Sequence, residues 1–404
     1  MVPGKWHLGD FFKGRGAHAT PLMHGFDHMF MTQEVAPTST TNCACDPAWE
    51  SQCRFGHNKG WGCTNYWTED PTAPEGIVNM STPVGANDAA LIVDKFEAFV
   101  ESRHGRPFLS LLLFHNNHIP FVATAQGAEA CASGAQCPAG RGYDVNQPNA
   151  QLDYFGALID IDVQIGRVRD ILKQKGYAES TLVWLASDNG PEVNAPNGFI
   201  DAEVGGGLFK GPGEARPLRG RKRDFWEGGH RVPGILEFPP LIHKNIVSHH
   251  TMVTTDLLPT IMDLLNVTRP PAQAAWGLDG QSVVPAMRGE PSDSFNQFGR
   301  GWLFWRQPSA LGGAFRYGDW KFVNQSHSCG NTSCNAALYN LKDDLGETTD
   351  LSKTHPEIFE AMALNLSVWK WHVINSSLEE SFCTTPYPPG PPPRHPAKPP
   401  LPSQ

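Results

Sequence analysis

Residues 151–190 read QLDYFGALIDIDVQIGRVRDILKQKGYAESTLVWLASDNG, and this stretch decides the fold class. Leu152, Phe155, Ile159, Val163, Val168 and Leu172 recur near one face at helical spacing, which predicts a long amphipathic helix over 151–175. Lys173 and Lys175 fall in its last turn, where the negative end of the helix dipole favours cations. Gly176 stops it. Thr181–Ala186 is then a short continuous apolar run, the pattern of a strand buried on both faces. It opens directly onto Ser187-Asp188-Asn189-Gly190. A helix, a buried strand and a polar strand end make an α/β arrangement, and in such sheets ligands gather at the carboxyl ends of strands.

The same order occurs upstream. Leu91, Ile92, Phe96 and Phe99 predict a helix over 88–103. Pro107–Phe114 is a second apolar run, read as a buried strand, and it stops at His115-Asn116-Asn117-His118. Residues 122–150 read as a polar loop. Downstream come a Gly-rich stretch over 198–229, a strand near 232–238 and a helix near 256–266. Two antiparallel strands, Phe315–Val323 and Ala337–Leu341, precede a terminal helix over about 356–372. The expected divisions are an α/β domain over 1–270, a linker over 271–312, a small antiparallel subdomain over 313–383 and a Pro-rich tail over 384–404.

Composition narrows the function. The chain has 404 residues, 40% hydrophobic and 18% charged, with a formal net charge of −9. An acidic chain argues against general nucleic-acid binding. No apolar run reaches the roughly 18 residues that span a bilayer. Six Asn-x-Ser/Thr triplets, at Asn79, Asn266, Asn324, Asn331, Asn365 and Asn375, stand against about two expected by chance, which favours glycosylation in an exported protein. The cysteines agree. Cys131 and Cys137 bracket a short loop, as do Cys329 and Cys334, a disulfide pattern. Cys43, Cys45, Cys53 and Cys63 fit disulfides better than a zinc site, because their spacing matches no usual ligand pattern. The expected compartment is secreted or the lysosomal or endomembrane lumen, although no signal peptide precedes Gly4.

Several strand-end residues share one chemistry. Lys5 and His7 alternate, so in an extended segment they face the same way. Asp188 and Asn189 offer the paired oxygens that suit a hard cation such as Ca²⁺. His118 follows one strand, and a basic cluster of Arg219, Arg221, Lys222 and Arg223 stands out in an acidic chain. Fixed cations and a metal stabilise the charge that develops on a sulfate or phosphate leaving from an ester, and a His moves the proton. No nucleophile is evident in this set.

Gly4-Lys5-Trp6-His7-Leu8-Gly9 resembles the second signature of the sulfatase family. Ser187-Asp188-Asn189-Gly190-Pro191 resembles its second metal-binding segment, and 218–233 its later lysine loop. Gly25-Phe26-Asp27, Phe315–Lys321 and Leu338–Leu351 resemble further family segments, in order along the chain. The resemblance implies an alkaline-phosphatase-like mixed sheet sandwiched by helices, with a small C-terminal α+β subdomain. It implies a Ca²⁺-dependent sulfuric ester hydrolase acting on an aryl or carbohydrate sulfate. By resemblance Lys5, His7, His118 and Lys222 are catalytic, with His115 as the alternative to His118, and Asp188 and Asn189 are metal ligands.

The departures are specific. The family nucleophile comes from a C/S-x-P-x-R motif, and this chain contains none. Cys45-Asp46-Pro47-Ala48-Trp49 ends in Trp, and Cys137-Pro138-Ala139-Gly140-Arg141 has Pro one place early. The paired Asp ligands expected from the family's first strand are also absent. The expectation is an N-terminally incomplete sulfatase that is inactive alone. The alternatives are a non-catalytic binder of sulfated glycans, with Trp302 and Trp305 stacking on sugars, and a phosphatase or phosphodiesterase of the same superfamily. The sequence sets no oligomeric state.

Overall fold

Val2–Lys5 forms β1, Met29–Thr32 β2, Tyr66–Glu69 β3 and Ile77–Met80 β4, in one sheet of order β1-β2-β3-β4. This computed structural model describes residues 1–6, 8, 20–32, 66–73, 76–80, 87–116, 118, 123–133, 148–191, 217–243, 245–271, 278–290, 302–306, 312–324 and 336–378. They pack as two compact units, one within Met1–Thr181 and one from Leu182 onward. The sheet just named belongs to the first unit. β1 and β2 are parallel, with Val2 opposite Met29 and Lys5 opposite Thr32. β3 and β4 continue antiparallel. Burial of β1 and β2 is continuous rather than alternating, as for strands covered on both faces.

The predicted strand over 107–114 is an extended segment on the free side of β1. It runs parallel to β1, with Leu111 N donating to Met1 O (3.1 Å), Leu113 N to Pro3 O (2.9 Å) and Lys5 N to Leu113 O (2.8 Å). It is half-buried rather than fully buried: Leu111 and Leu113 join the core of Val2, Trp6, Met29, Met31 and Ile77, whereas Leu109 is 50% exposed. Gly4 permits the close pairing. Its φ is +117°, and a Cβ there would stand 1.9 Å from the Leu113 carbonyl oxygen.

Helix α1 (Asp88–Glu101) matches the sequence prediction and buries Ile92, Val93, Phe96 and Val100. The Asn87 side chain caps it by accepting from Ala90 N at 3.1 Å. The polar loop expected over 122–150 contains α2 (Ala125–Ala132). Thr124 caps α2 and is itself held by Asp160, whose carboxylate accepts from Thr124 N (2.8 Å) and Oγ1 (2.5 Å). The long predicted helix is α3 (Pro148–Gln174), closed by Gly176 at φ +78°. Its buried face differs in part from the expected one. Val168 and Leu172 are buried as expected, but Val163 is 56% exposed, and Ala157, Asp160, Gln164 and Ile171 also point inward. A buried polar pair hides that stripe from an apolar count. Cys131 is buried and disulfide-bonded, with its partner outside the described residues.

In the second unit β5 (Val183–Ala186) pairs antiparallel with β6 (Gly234–Glu237), and it is only partly buried where a strand buried on both faces was expected. Between them in sequence lies the short helix α4 (Glu227–His230); α5 (Leu257–Leu264) and α6 (Val284–Met287) follow. Part of the expected linker is core: Val283, Val284 and Met287 pack against Trp184, Leu236 and Leu264. Strands β7 (Trp302–Trp305), β8 (Gly313–Tyr317), β9 (Trp320–Asn324) and β10 (Ala337–Asn340) form an antiparallel sheet of order β10-β9-β8-β7. The single strand expected over 315–323 is therefore a hairpin, turned at Gly318 with φ +57°. Helix α7 (Pro356–Leu378) covers the sheet through Ile358, Met362 and Leu366. Among the described residues, no helix is long and apolar enough to cross a membrane.

Because Gly4 seats the segment that carries the His115–His118 turn, Gly4→Ala is expected to cost about 1–3 kcal/mol of stability. Gly166→Ala, in α3 with open space at the Cβ position, is expected to be neutral or to stabilise by up to ~1 kcal/mol. Urea unfolding of the two variants checks the contrast, and equal midpoints would sink it.

Candidate functional site

Lys5 is the last residue of β1, and Thr32, opposite it, is the last of β2. The neighbouring extended segment also ends at this edge, at Phe114, so the following residues of three parallel runs emerge together. His115 is fully buried there. Its Nε2 lies 2.8 Å from Thr32 Oγ1, and its Nδ1 lies 2.8 Å from Asp88 Oδ2. Tyr66 donates its hydroxyl to Asp88 Oδ1. Burial, and then the Asp88 carboxylate, hold the Tyr66 hydroxyl well above the usual tyrosine range, so it stays a donor. The His115 carbonyl accepts from His118 N at 2.8 Å, which turns the chain and leaves His118 partly exposed. The structure thus brings Lys5 and His118 to one sheet edge and withdraws His115, the alternative catalytic histidine, into the core. His7 lies outside the described residues.

Asp188, Asn189 and Lys222 come together in the second unit. Asp188 and Asn189 follow β5, and Gly190 N donates to Gly229 O (2.9 Å) while Lys222 N donates to Pro191 O (3.0 Å). The approach is glycine-dependent: a Cβ on Gly190 would stand 1.8 Å from the Gly228 carbonyl oxygen. Gly228 N donates in turn to Arg219 O at 2.6 Å. These backbone bonds clamp the loop over 219–230 onto the strand end that carries Asp188.

A buried ionic cluster anchors the same loop. Lys321, on β9 and wholly buried, lies 2.8 Å from Glu227 Oε1 and 2.9 Å from Glu347 Oε1. Glu347 also accepts from Glu227 N at 2.6 Å. Arg219 stacks 3.9 Å over the Trp226 ring and donates to Tyr339 Oη (3.1 Å) and Glu347 O (2.9 Å). Burial works against the Glu227 carboxylate, yet Lys321 and then His230 overcome it and hold it at about 2. Burial, followed by the Lys321 charge, pushes His230 down to about 3. Burial raises Glu347 despite Lys321. His230 stacks on Trp305 with centroids 4.3 Å apart, and Trp302 packs into the sheet–helix core. Both tryptophans take part in packing and are partly buried.

Thr32, Tyr66, Asp88, Lys321 and Glu347 are site-supporting residues that sequence reasoning missed. Asp88 carried one signal, a carboxylate at the start of a helix pattern. Lys321 was visible only as one residue of a strand.

Asp188 and Asn189 are the expected Ca²⁺ donors. Asp188 is exposed, with Oδ1 accepting from Asn189 N at 2.9 Å, and the Asn189 amide nitrogen donates to Gly190 O at 2.9 Å. These two side chains bring at most three oxygen atoms, against the roughly six to eight that a Ca²⁺ shell takes. Among the described residues no group of three or more His, Cys, Asp or Glu stands together to hold a metal. The described donors do not by themselves complete a Ca²⁺ shell.

The sequons fall in different settings. Asn266 is exposed after α5 with φ +50°, and Asn324 ends β9. Asn79 lies in β4 and Asn375 in α7. Asn365, also in α7, donates its side-chain nitrogen to Ala361 O at 2.7 Å. Asn331 is outside the described residues.

By fold the chain is an alkaline-phosphatase-like α/β protein. It is similar to Ps i-CgsB, solved in complex with k-i-k-neocarrahexaose, with TM-score 0.65 and 20% identity over 92% of this chain and 71% of that one. It is similar to PsFucS1 sulfatase from Pseudoalteromonas sp., with TM-score 0.59 and 19% identity over 93% and 70% of the two chains. The family model described as Sulfatase matches residues 2–267, and the chain belongs to the sulfatase family. Arylsulfatase G of Rattus norvegicus is 25% identical over 385 residues, covering 89% of this chain and 65% of that protein. Arylsulfatase D of Homo sapiens is 24% identical over 352 residues, covering 73% and 52%. The chain therefore spans 65% and 52% of the length of these two relatives.

Replacing Lys321 by Met leaves two carboxylates buried without their cation, and a loss of about 3–5 kcal/mol is expected in urea unfolding. The pH dependence has a definite sign. His230 drops from an ordinary 6.5 to about 3 on folding, so between those values the unfolded chain binds the extra proton. Stability is full above 6.5 and falls toward 3, at up to about 1.4 kcal/mol per pH unit. Glu227 adds the same sign between 4.5 and about 2; Glu347, being raised, acts oppositely above 4.5. The His230→Gln substitution is expected to remove the His230 share of the gain in urea midpoint from pH 5 to pH 7, leaving the opposite Glu347 dependence, so the pH 7 midpoint falls relative to the pH 5 midpoint when compared with the native chain.

Proposed function

We propose that this chain carries the sulfate-binding framework of a sulfuric ester hydrolase for aryl or carbohydrate sulfates. The observation behind the reading is the placement of Lys5 and His118 at one strand edge of the first unit; within the second unit, the loop that bears Lys222 is bonded to the strand end that bears Asp188 and Asn189. A sulfate ester spreads its charge over several oxygens. Lys5 presents an ammonium group to such an oxygen and stabilises the charge that grows as the ester S–O bond breaks; Lys222 keeps the sulfate-oxygen role that family resemblance gives it. His118 is partly exposed and delivers the proton to the departing alcohol oxygen. His7 keeps the role in turning over a covalent sulfate that family resemblance gives it.

Carbohydrate sulfates gain support from a relative in fold: the protein BT4656, at TM-score 0.57 and 14% identity, was solved in complex with its substrate D-glucosamine-2-N,6-O-disulfate. An exported or lysosomal setting is supported by the exposed Asn266 sequon and by the disulfide at Cys131. The covalent step needs a nucleophile, and no C/S-x-P-x-R motif occurs among the 404 residues. The chain as given therefore binds a sulfate ester without turning it over.

Calorimetry with 4-nitrophenyl sulfate tests this. Binding is expected, weakened about tenfold or more by Lys5→Ala and by Lys222→Ala, since a hydrogen bond to a charged group contributes about 1.5–3 kcal/mol. No 4-nitrophenolate release is expected. Sustained release would overturn the inactive reading, and absence of binding would overturn the framework itself.

A further inference from the structure

Thr32, His115 and Asp88 stand in the bond order of a hydroxyl nucleophile, its base and an orienting carboxylate. Burial decides against that use. Thr32 is 0%, His115 2% and Asp88 0% exposed, so no ester sulfur reaches the Thr32 hydroxyl. Asp88 sits in the first turn of α1, where the helix dipole favours an anion. It takes the Tyr66 hydroxyl on one oxygen and the His115 Nδ1 proton on the other. His115 Nε2 is then an acceptor, and Thr32 donates to it. Thr32 is the register partner of Lys5, and its carbonyl accepts from Trp6 N at 3.1 Å. The His115 carbonyl meanwhile holds His118 N at 2.8 Å.

We propose that His115 is a positioning residue: through Thr32 it fixes the strand end that bears Lys5, and through its own carbonyl it fixes the turn that bears His118. The inference deepens the sulfatase reading and rests on it, because that reading gives Lys5 and His118 a shared substrate. Two strand ends and one turn are thereby tied to one imidazole whose tautomer Asp88 sets. Movement of that ring moves both functional side chains together.

Substituting His115 itself strands Tyr66, Asp88 and Thr32, so the decisive pair is Thr32→Val and Thr32→Ser in the full chain. Thr32→Val keeps the shape and loses the hydroxyl, whereas Thr32→Ser keeps it. With folding checked by circular dichroism, Thr32→Val is expected to weaken 4-nitrophenyl sulfate binding about tenfold, and Thr32→Ser is expected to stay within about twofold. In ¹⁵N-histidine spectra, His115 is expected to carry its proton on Nδ1, and the His118 ring signals to shift in Thr32→Val only. A folded Thr32→Val chain with native affinity and unmoved His118 signals would overturn the proposal. Labelling of Thr32 by a fluorophosphonate would also overturn it, in favour of a reactive hydroxyl. Should the unaltered chain fail to bind the sulfate ester, the function reading falls alone. The His118 signals then decide the positioning role, and it falls if Thr32→Val leaves them in place.

Discussion

One buried ammonium group organises the second unit. Lys321 is enclosed on β9, and an unpaired charge in that position would be too costly to persist. Its two carboxylates come from different places in the chain: Glu227 from the loop beside Asp188, and Glu347 from the segment after β10. Satisfying the lysine therefore fixes the loop. Once Glu227 is pinned, the Gly228–Gly229 pair follows it, and the backbone bonds to Arg219 and Gly190 close behind. Lys222 and Asp188 inherit their placement from a charge that neither of them touches in the bonds described.

The first unit solves the same problem with a different group. Asp88 is the enclosed charge, and its partners are a helix N-terminus, a tyrosine hydroxyl and an imidazole. The residues it gathers lie far apart in sequence, on β2, β3, α1 and the segment beside β1. Each unit thus spends a buried polar cluster on holding a strand end still. Such clusters contribute little net stability compared with apolar packing, but they specify one arrangement, because any other leaves a charge unpaired.

The legibility of the sequence follows from these facts. Helices α1 and α3 were readable because their periodicity runs over many turns. The inward face of α3 was readable only in part: Val168 and Leu172 are buried as read, but Asp160 and Gln164 belong to that face and, being polar, escape an apolar count. The helix α2 was missed because its stability comes from Asp160, about 36 positions away in the chain, rather than from its own pattern. The hairpin at Gly318 was read as one strand because a two-residue turn barely interrupts the apolar run. Lys5, His118, Asp188, Asn189 and Lys222 were singled out through their motifs. Thr32, Tyr66 and Lys321 were not, because their partners are set by tertiary register and no local spacing records it.

The motifs themselves divide into two kinds of residue. Gly4, Gly190 and Gly228 sit where a Cβ would collide with a carbonyl oxygen 1.8–2.4 Å away. Their demand is steric and belongs to the fold. Lys5, His118 and Lys222 face no such demand, and each could be exchanged without blocking a backbone contact. Retention of the glycines therefore reports only that the sheet edges still close as they do. It is the cationic residues placed by that closure that report on sulfate chemistry. A chain can keep the first set for stability and lose the second. In this chain the glycines let the strand ends close, and Lys5 and Lys222 ride on the backbone that the closure places.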